Sequence, residues 1–162
     1  MRKTYKKNIF DQKHSKLKIA LVLSNYYPEV VKGMEDSCID YLVKSGVKKE
    51  NINVFYAPGS WELPIIAKHA VKTKKYDAIG AFGVIVKGDT YHFDLVSSEC
   101  ARGLMDIALE FETPVINEVL AVCDIKDAKK RAFGENSKGI EAAIAILESI
   151  LSLKKVNDSV RK

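Results

Sequence analysis

The chain is 162 residues long, 47% hydrophobic and 29% charged, with a formal net charge of +5. That length and balance suit one soluble domain with a real core. No apolar run approaches the roughly 20 residues that span a bilayer, and the basic start is followed by no apolar signal region, so a membrane protein and a secreted one are disfavoured and a cytoplasmic location is expected.

The positive charge sits at the ends. Residues 1–18 hold seven Lys/Arg against one Asp, and residues 154–162 hold four against one, which leaves residues 19–153 at −4. A nucleic-acid surface needs basic residues on a folded face with aromatics among them. Basic ends read first as solvated tails, and a nucleic-acid arm is the weaker alternative.

In chain order, residues 1–16 lack sustained periodicity and read as an arm, ordered only if something docks it. Leu17 to Ser24 is a short continuous apolar run, the pattern of a strand covered on both faces. Pro28 suits the first turn of a helix that carries Val30, Met34, Cys38 and Leu42 inward and ends near Gly46. Asn51 to Ala57 reads as a second strand, closed by Pro58-Gly59. Ser60 is placed to cap the next helix, whose inner face is Leu63, Ile66, Ala67 and Ala70. Tyr76 to Val86 reads as the third strand. Phe93 to Phe111 follows as a helix, with Val96, Cys100, Gly103, Leu104 and Ile107 inward.

Pro114 to Val122 reads as the fourth strand, and Asp124 as the cap of a short helix over Ile125 to Phe133. Gly134 to Gly139 turns the chain, and Ile140, Ala143, Ile144, Leu147 and Leu151 mark the last helix. Residues 154–162 read as a polar, frayed tail. The division is an arm at 1–16, one domain at 17–153 and the tail. Alternating strands and helices with right-handed crossovers predict a three-layer α/β/α sandwich on a four-stranded parallel sheet. Cys38, Cys100 and Cys123 each sit in an apolar pattern without C-x-x-C or Cys/His spacing. They are expected to be reduced and buried, with no metal site.

Three strand-ending segments should open on one sheet edge, where ligands of parallel α/β folds bind. They are Asn25-Tyr26-Tyr27, Pro58-Gly59-Ser60-Trp61-Glu62, and Lys87 to His92. The last places one of only three histidines beside a helix N-terminus able to hold an anion. Singly, each feature has a bland reading. Tyr26 suits a rim aromatic, Trp61 packing, Glu62 a first-turn acid opposite the helix dipole, and His92 a cap. Together they suit a polar or phosphorylated small molecule, with His92 as acid and base. No G-x-G-x-x-G, P-loop or G-x-S-x-G pattern is present.

The block GVIVKGDTYHFD at residues 83–94 resembles the signature of the lumazine synthase family. PGSWELP is similar to that family's PGAFELP, KYDAIGAFGV to its KYDAVIALGV, and RAFGENSKGIEAA to its RAGTKAGNKGAEAA. The likeness runs in order from about Leu17 to Leu151. It implies a flavodoxin-like fold and the condensation of 5-amino-6-(D-ribitylamino)uracil with 3,4-dihydroxy-2-butanone 4-phosphate in riboflavin biosynthesis, with no cofactor or metal.

It further implies that His92 moves protons and that Asp94 orients or charge-stabilises it. Asp89 and Thr90 would give backbone amides to the butanone phosphate, and Arg131 a bidentate clamp. Tyr26, Ser60, Trp61, Glu62, Val84, Ile85, Val86, Asn117 and Lys138 would meet the pyrimidine and its ribityl chain. The family's sites lie between subunits of a pentamer, which some members double to decamers or build into sixty-subunit shells. Riboflavin synthase is an implied partner, and the N-terminal arm would add a strand to a neighbour's sheet.

This chain departs from the family pattern at Asn117, where an aromatic is common, and at Glu118, where glycine is common. It departs again at Ser137, in a turn about one residue shorter. Asn117 and Glu118 motivate one alternative, a non-catalytic flavin- or lumazine-binding relative; the basic tails motivate another, a nucleic-acid-associated shell protein.

Overall fold

The apolar run near residue 20 becomes the innermost strand. A computed structural model describes residues 11–160. There β1 (Ile19–Ser24) is buried at every position, as a strand covered on both faces must be. It pairs in parallel with β2 (Ile52–Ala57) on one side and β3 (Ala78–Val86) on the other. β3 pairs in parallel with β4 (Val115–Val122), giving the order β2-β1-β3-β4. The helices are α1 (Pro28–Lys44), α2 (Leu63–Lys72), α3 (His92–Phe111), α4 (Ile125–Ala132) and α5 (Lys138–Val160).

Side-chain alternation along the strands sends one set of residues to each outer layer. Leu21, Leu23, Phe82 and Leu120 pack with Met34, Cys38 and Leu42 of α1 and Ile146 and Leu147 of α5. Ala20, Val22, Ile79 and Ala81 pack with Leu63 and Ala67 of α2 and Cys100, Leu104 and Ile107 of α3. The result is the expected three-layer α/β/α sandwich on a four-stranded parallel sheet. Among the described residues no helix is long and apolar enough to cross a membrane.

Several boundaries differ from the sequence reading, each for a local reason. β1 and β3 start two residues late, because Lys18 and Asp77 tie their lead-ins together. The Asp77 carboxylate accepts the Lys18 N–H at 2.7 Å, and the Asp77 N–H reaches the Lys18 carbonyl at 2.8 Å. Asp124 caps α4 as expected, accepting the Lys126 N–H at 2.8 Å.

α5 begins at Lys138 because Ser137, not the glycine, ends the turn; its Oγ accepts the Gly139 N–H at 3.1 Å. The helix then continues to Val160 through the segment read as frayed, since residues 140–160 contain no glycine or proline.

Residues 11–16 dock on their own chain instead of waiting for a partner. Gln12–Lys16 forms a 3-10 turn, the Asp11 N–H donates to the Ser45 carbonyl, and the buried His14 places Nδ1 2.7 Å from that same carbonyl. The arm expected to add a strand to a neighbouring sheet is residues 1–16, of which residues 1–10 lie outside the described residues. Cys38 and Cys100 are buried as expected, and Cys123, just past β4, is exposed, which corrects its reading. Burial pushes the Cys38 thiol up, with the Glu118 and Glu35 carboxylates adding to it, and pushes Cys100 up to about 11.

Candidate active site

The sheet order decides where a ligand can sit. The chain leaves β1 toward α1 on one face and leaves β3 toward α3 on the other, so the carboxyl ends of these adjacent strands part and open a crevice. A cleft of about 800 Å³ lies there. Tyr26 and Tyr27 from the β1 loop form one wall, and Pro58 to Glu62 from the β2 loop another. Val84, Ile85 and Val86 at the end of β3 form the floor, and His92, Leu95 and Val96 of α3 close it.

Each wall has a backbone cause. Tyr27 adopts the left-handed conformation (φ 53, ψ 56), uncommon for an aromatic residue. That turn lets its carbonyl accept the N–H groups of Val30 and Val31 at 3.0 and 3.1 Å, which starts α1 and leaves Tyr26 65% exposed. The ring lies against Gly59, where an added Cβ would sit 3.3 Å from it. On the floor, the register of β3 with β1 ends at Phe82, while that with β4 runs on to Val86. On the β1 side, Val84 to Val86 therefore have no strand partner among the described residues.

Ser60 corrects an expectation. It does not cap α2; it begins a 3-10 turn (Ser60–Glu62), and Glu62 holds the cap position without a side-chain bond. The Ser60 hydroxyl instead lies 2.7 Å from where a Cβ on residue 83 would be, so Gly83 makes the room it occupies. Ser60 is 6% exposed and its Oγ has no hydrogen-bond partner. A buried hydroxyl without a partner is uncommon and calls for an explanation.

His92 is the first residue of α3 and is exposed; its backbone N–H reaches Thr90 Oγ1 at 3.4 Å. Asp89 and Thr90 lie on the exposed loop just before it, and Asp94 follows within the first turn.

Eight of the sequence-predicted residues thus meet in one cleft: Tyr26, Ser60, Trp61, Glu62, Val84, Ile85, Val86 and His92. Asn117, Arg131 and Lys138 are not among its walls. Asn117 is exposed on the edge strand β4, its Oδ1 accepting the Val119 N–H at 3.0 Å. Arg131, on α4, donates from Nη1 to the Asp127 carbonyl at 2.9 Å, and Lys138 opens α5 paired with Glu141.

The sequence reading placed Tyr27, Pro58 and Gly59 in segments opening on this edge without giving them a role, and it missed Leu95 and Val96 as cleft residues. Tyr27 had one visible signal, its place just before Pro28, where ordinary helical geometry is disfavoured. Beside Lys138, burial pushes the Glu118 carboxyl up to about 7, with Lys138 pulling it down and Glu141 pushing it up.

The sequence profile of one family, described as 6,7-dimethyl-8-ribityllumazine synthase, matches residues 16–154. The 6,7-dimethyl-8-ribityllumazine synthase of Gemmatimonas aurantiaca is 39% identical over 132 residues, covering 81% of this chain and 80% of the relative. That of Kosmotoga olearia is 40% identical over 133 residues, covering 82% and 85%. The residues matched by the family, 16–154, take in every element around the cleft. The chain belongs to the 6,7-dimethyl-8-ribityllumazine synthase family.

Proposed function

We propose that this protein is a working 6,7-dimethyl-8-ribityllumazine synthase, an enzyme of riboflavin biosynthesis. It condenses 5-amino-6-(D-ribitylamino)uracil with 3,4-dihydroxy-2-butanone 4-phosphate, releasing phosphate and water. The observation that supports this most is the cleft itself, where an exposed aromatic, an unpaired strand edge, a partnerless hydroxyl and a histidine converge.

The pyrimidine lies against Tyr26, its edge bonded by the open backbone groups of Val84 to Val86. Ser60, Trp61 and Glu62 receive the ribityl hydroxyls. Imine formation, phosphate elimination and ring closure each move a proton, and His92 at the mouth of the cleft gives and takes them. Asp94 steadies its charge. The butanone phosphate is held by main-chain N–H groups at Asp89 and Thr90, at the N-terminus of α3, with the Asp89 carboxylate turned away.

Asn117, Arg131 and Lys138 stand on β4, α4 and α5, none of which contributes a residue to the cleft of their own chain, whereas Asp89 and Thr90 lie on the loop that leads directly into its His92. Those three serve the cleft of a neighbouring copy, and Arg131 clamps the phosphate from there. Exposed Trp61, Ile65, Leu95, Met105 and Leu109 around α2 and α3 favour such an assembly, because a stable monomer seldom leaves so much large apolar surface in one region. The assembly is a pentamer working in the cytoplasm, where the exposed Cys123 thiol stays reduced.

Mixing two crippled variants tests the shared site. Arg131→Ala and His92→Ala proteins are each nearly inactive alone. Unfolded together in equal amounts and reassembled, they recover about a quarter of wild-type lumazine formation, since that share of boundaries pairs an intact histidine with an intact arginine. No recovery in well-assembled mixtures places both residues in one protomer's site and defeats the shared arrangement. A wild type that binds the pyrimidine but forms no lumazine favours the non-catalytic relative that Asn117 and Glu118 suggest.

Ser60→Ala gives a second check. Without ligand the variant melts at or slightly above the wild-type temperature, because a partnerless buried hydroxyl has been removed. Its KM for the pyrimidine rises about tenfold, the effect of losing one hydrogen bond in a closed site. An unchanged KM with lowered stability makes Ser60 a packing residue only.

A further inference from the structure

Among the described residues, three other than glycine adopt the left-handed conformation: Tyr27 (φ 53), Lys74 (φ 56) and Glu112 (φ 49). Two of them have an ordinary reason. Glu112 closes α3, its N–H returning to the Ala108 carbonyl, and Lys74 follows the end of α2, its N–H returning to the Val71 carbonyl. Helices commonly stop on such a residue. Tyr27 instead stands at the start of a helix, where the capping residue is usually extended.

The left-handed conformation disfavours a side chain with a Cβ, and asparagine or glycine tolerates it best. Pro28 adds to the conflict, because a residue before proline is pushed toward extended backbone. What α1 takes from Tyr27 is only the carbonyl that accepts the Val30 and Val31 N–H groups, and every residue type carries one. The side chain supplies no cap bond. It fills no core either: Tyr41 and Tyr76 pack against the two core clusters, and Tyr27 against neither. Helix start and core packing therefore leave an aromatic ring at a strained position unexplained.

The cleft supplies the reason. Tyr27 lines its wall beside Tyr26, 39% exposed, and its phenol has no hydrogen-bond partner among the described residues. No lysine or arginine lines this cleft, and Glu62 is its one acid. Such a lining disfavours a phosphate and suits a neutral ligand rich in hydroxyl and carbonyl oxygens. Asp89 and Thr90, given the butanone phosphate above, are not among the lining residues.

We propose that Tyr27 is a binding residue for the pyrimidine substrate, giving its phenol O–H to an oxygen of 5-amino-6-(D-ribitylamino)uracil. The left-handed backbone holds the ring on the cleft wall, and the fold is less stable for it. This role rests on the reading of the cleft as the pyrimidine site. To the Tyr26 ring, which lies against Gly59, it adds a second aromatic with a free polar end.

The test is binding of that pyrimidine alone, read by the fluorescence of Trp61, the one tryptophan of the chain and a residue of the same cleft. Tyr27→Phe keeps the ring and the strain. Its melting temperature stays within about 2 °C of the wild type, and its Kd rises about fivefold, the size of one neutral hydrogen bond. Tyr27→Asn removes the ring and relieves the strain. Its Kd rises more than about tenfold, and without ligand it melts about 2–4 °C above the wild type. Glu112→Asn is the control, at the far end of a 20-residue helix and so roughly 30 Å from His92. It gains melting temperature in the same way and leaves Kd unchanged. In steady-state assays KM for the pyrimidine follows Kd, and KM for the butanone phosphate stays at the wild-type value.

Tyr27→Phe binding the pyrimidine as tightly as the wild type overturns the proposal. So does a Tyr27→Asn protein that melts below the wild type, since the side chain is then a packing residue. Equal rises of both KM values in Tyr27→Phe show a disturbed loop and overturn it as well. A wild type that does not bind the pyrimidine defeats the reading of the cleft itself, an outcome distinct from a wild type and variants that all bind alike.

Discussion

His92→Ala lowers the turnover of lumazine formation about a hundredfold and leaves the fold intact. Positioned general acid–base groups contribute roughly 10² to 10⁴ in rate. The lower end applies because His92 is exposed at the mouth of the cleft, where water can carry protons in its place. The fold survives because the His92 ring makes no hydrogen bond among the described residues, while its backbone N–H reaches Thr90 Oγ1 and an alanine N–H makes the same bond. Exposed substitutions of this kind change stability by about 0.5 kcal/mol or less. The measurement is kcat from product absorbance with a thermal melt of the same sample. A kcat within about threefold of wild type removes His92 from the chemistry and leaves it as a surface residue of α3.

What could be read from residues alone follows how locally each feature is encoded. β1 was legible because complete burial forces an unbroken apolar run, and Asp124 was legible because a cap is a contact between residues two apart. The convergence of Tyr26, Ser60 to Glu62, and His92 followed from strand order, since parallel strands carry their following loops to one edge. The roles of individual side chains in that cleft came from family likeness, not from pattern.

The failures were features set by a second element. Ser60 looked like a cap because a serine preceded an apolar helical pattern. The structure instead sets its hydroxyl against β3, where Gly83 leaves a space no local rule reveals. Cys123 looked buried because apolar residues precede it, yet β4 is an edge strand and the residue lies just past its end. Arg131 and Lys138 bond to near neighbours on their own helices, Asp127 and Glu141, and neither lines the cleft, so nothing local in the sequence sets them apart from other surface cations.

Gly139→Ala carries the largest expected loss of stability and turns on two opposed effects. In an exposed helix, replacing glycine by alanine stabilises by about 0.5–1 kcal/mol, because alanine restricts the unfolded chain and suits the helix better. Here the new methyl would lie 2.0 Å from the Met34 carbonyl oxygen, 2.2 Å from Ser37 Oγ and 2.8 Å from the Met34 carbonyl carbon. Two of those atoms are backbone and have no alternative rotamer, so α5 must lift from α1. Lifting parts Ser37 from Ser137 and loosens the bond from Ser137 to the Ala132 carbonyl.

Forced overpacking costs about 3 kcal/mol, which outweighs the helix gain and lowers the melting temperature of a domain this size by about 5–10 °C. Gly134→Ala is the control, since that glycine has φ +82 but open space around it, and only about 1–2 kcal/mol of backbone strain is at stake. The displaced helix also carries Lys138, so KM for the pyrimidine rises in Gly139→Ala while Gly134→Ala leaves it near the wild-type value. If Gly139→Ala melts at or above the wild-type temperature, α1 and α5 are not in the close contact described.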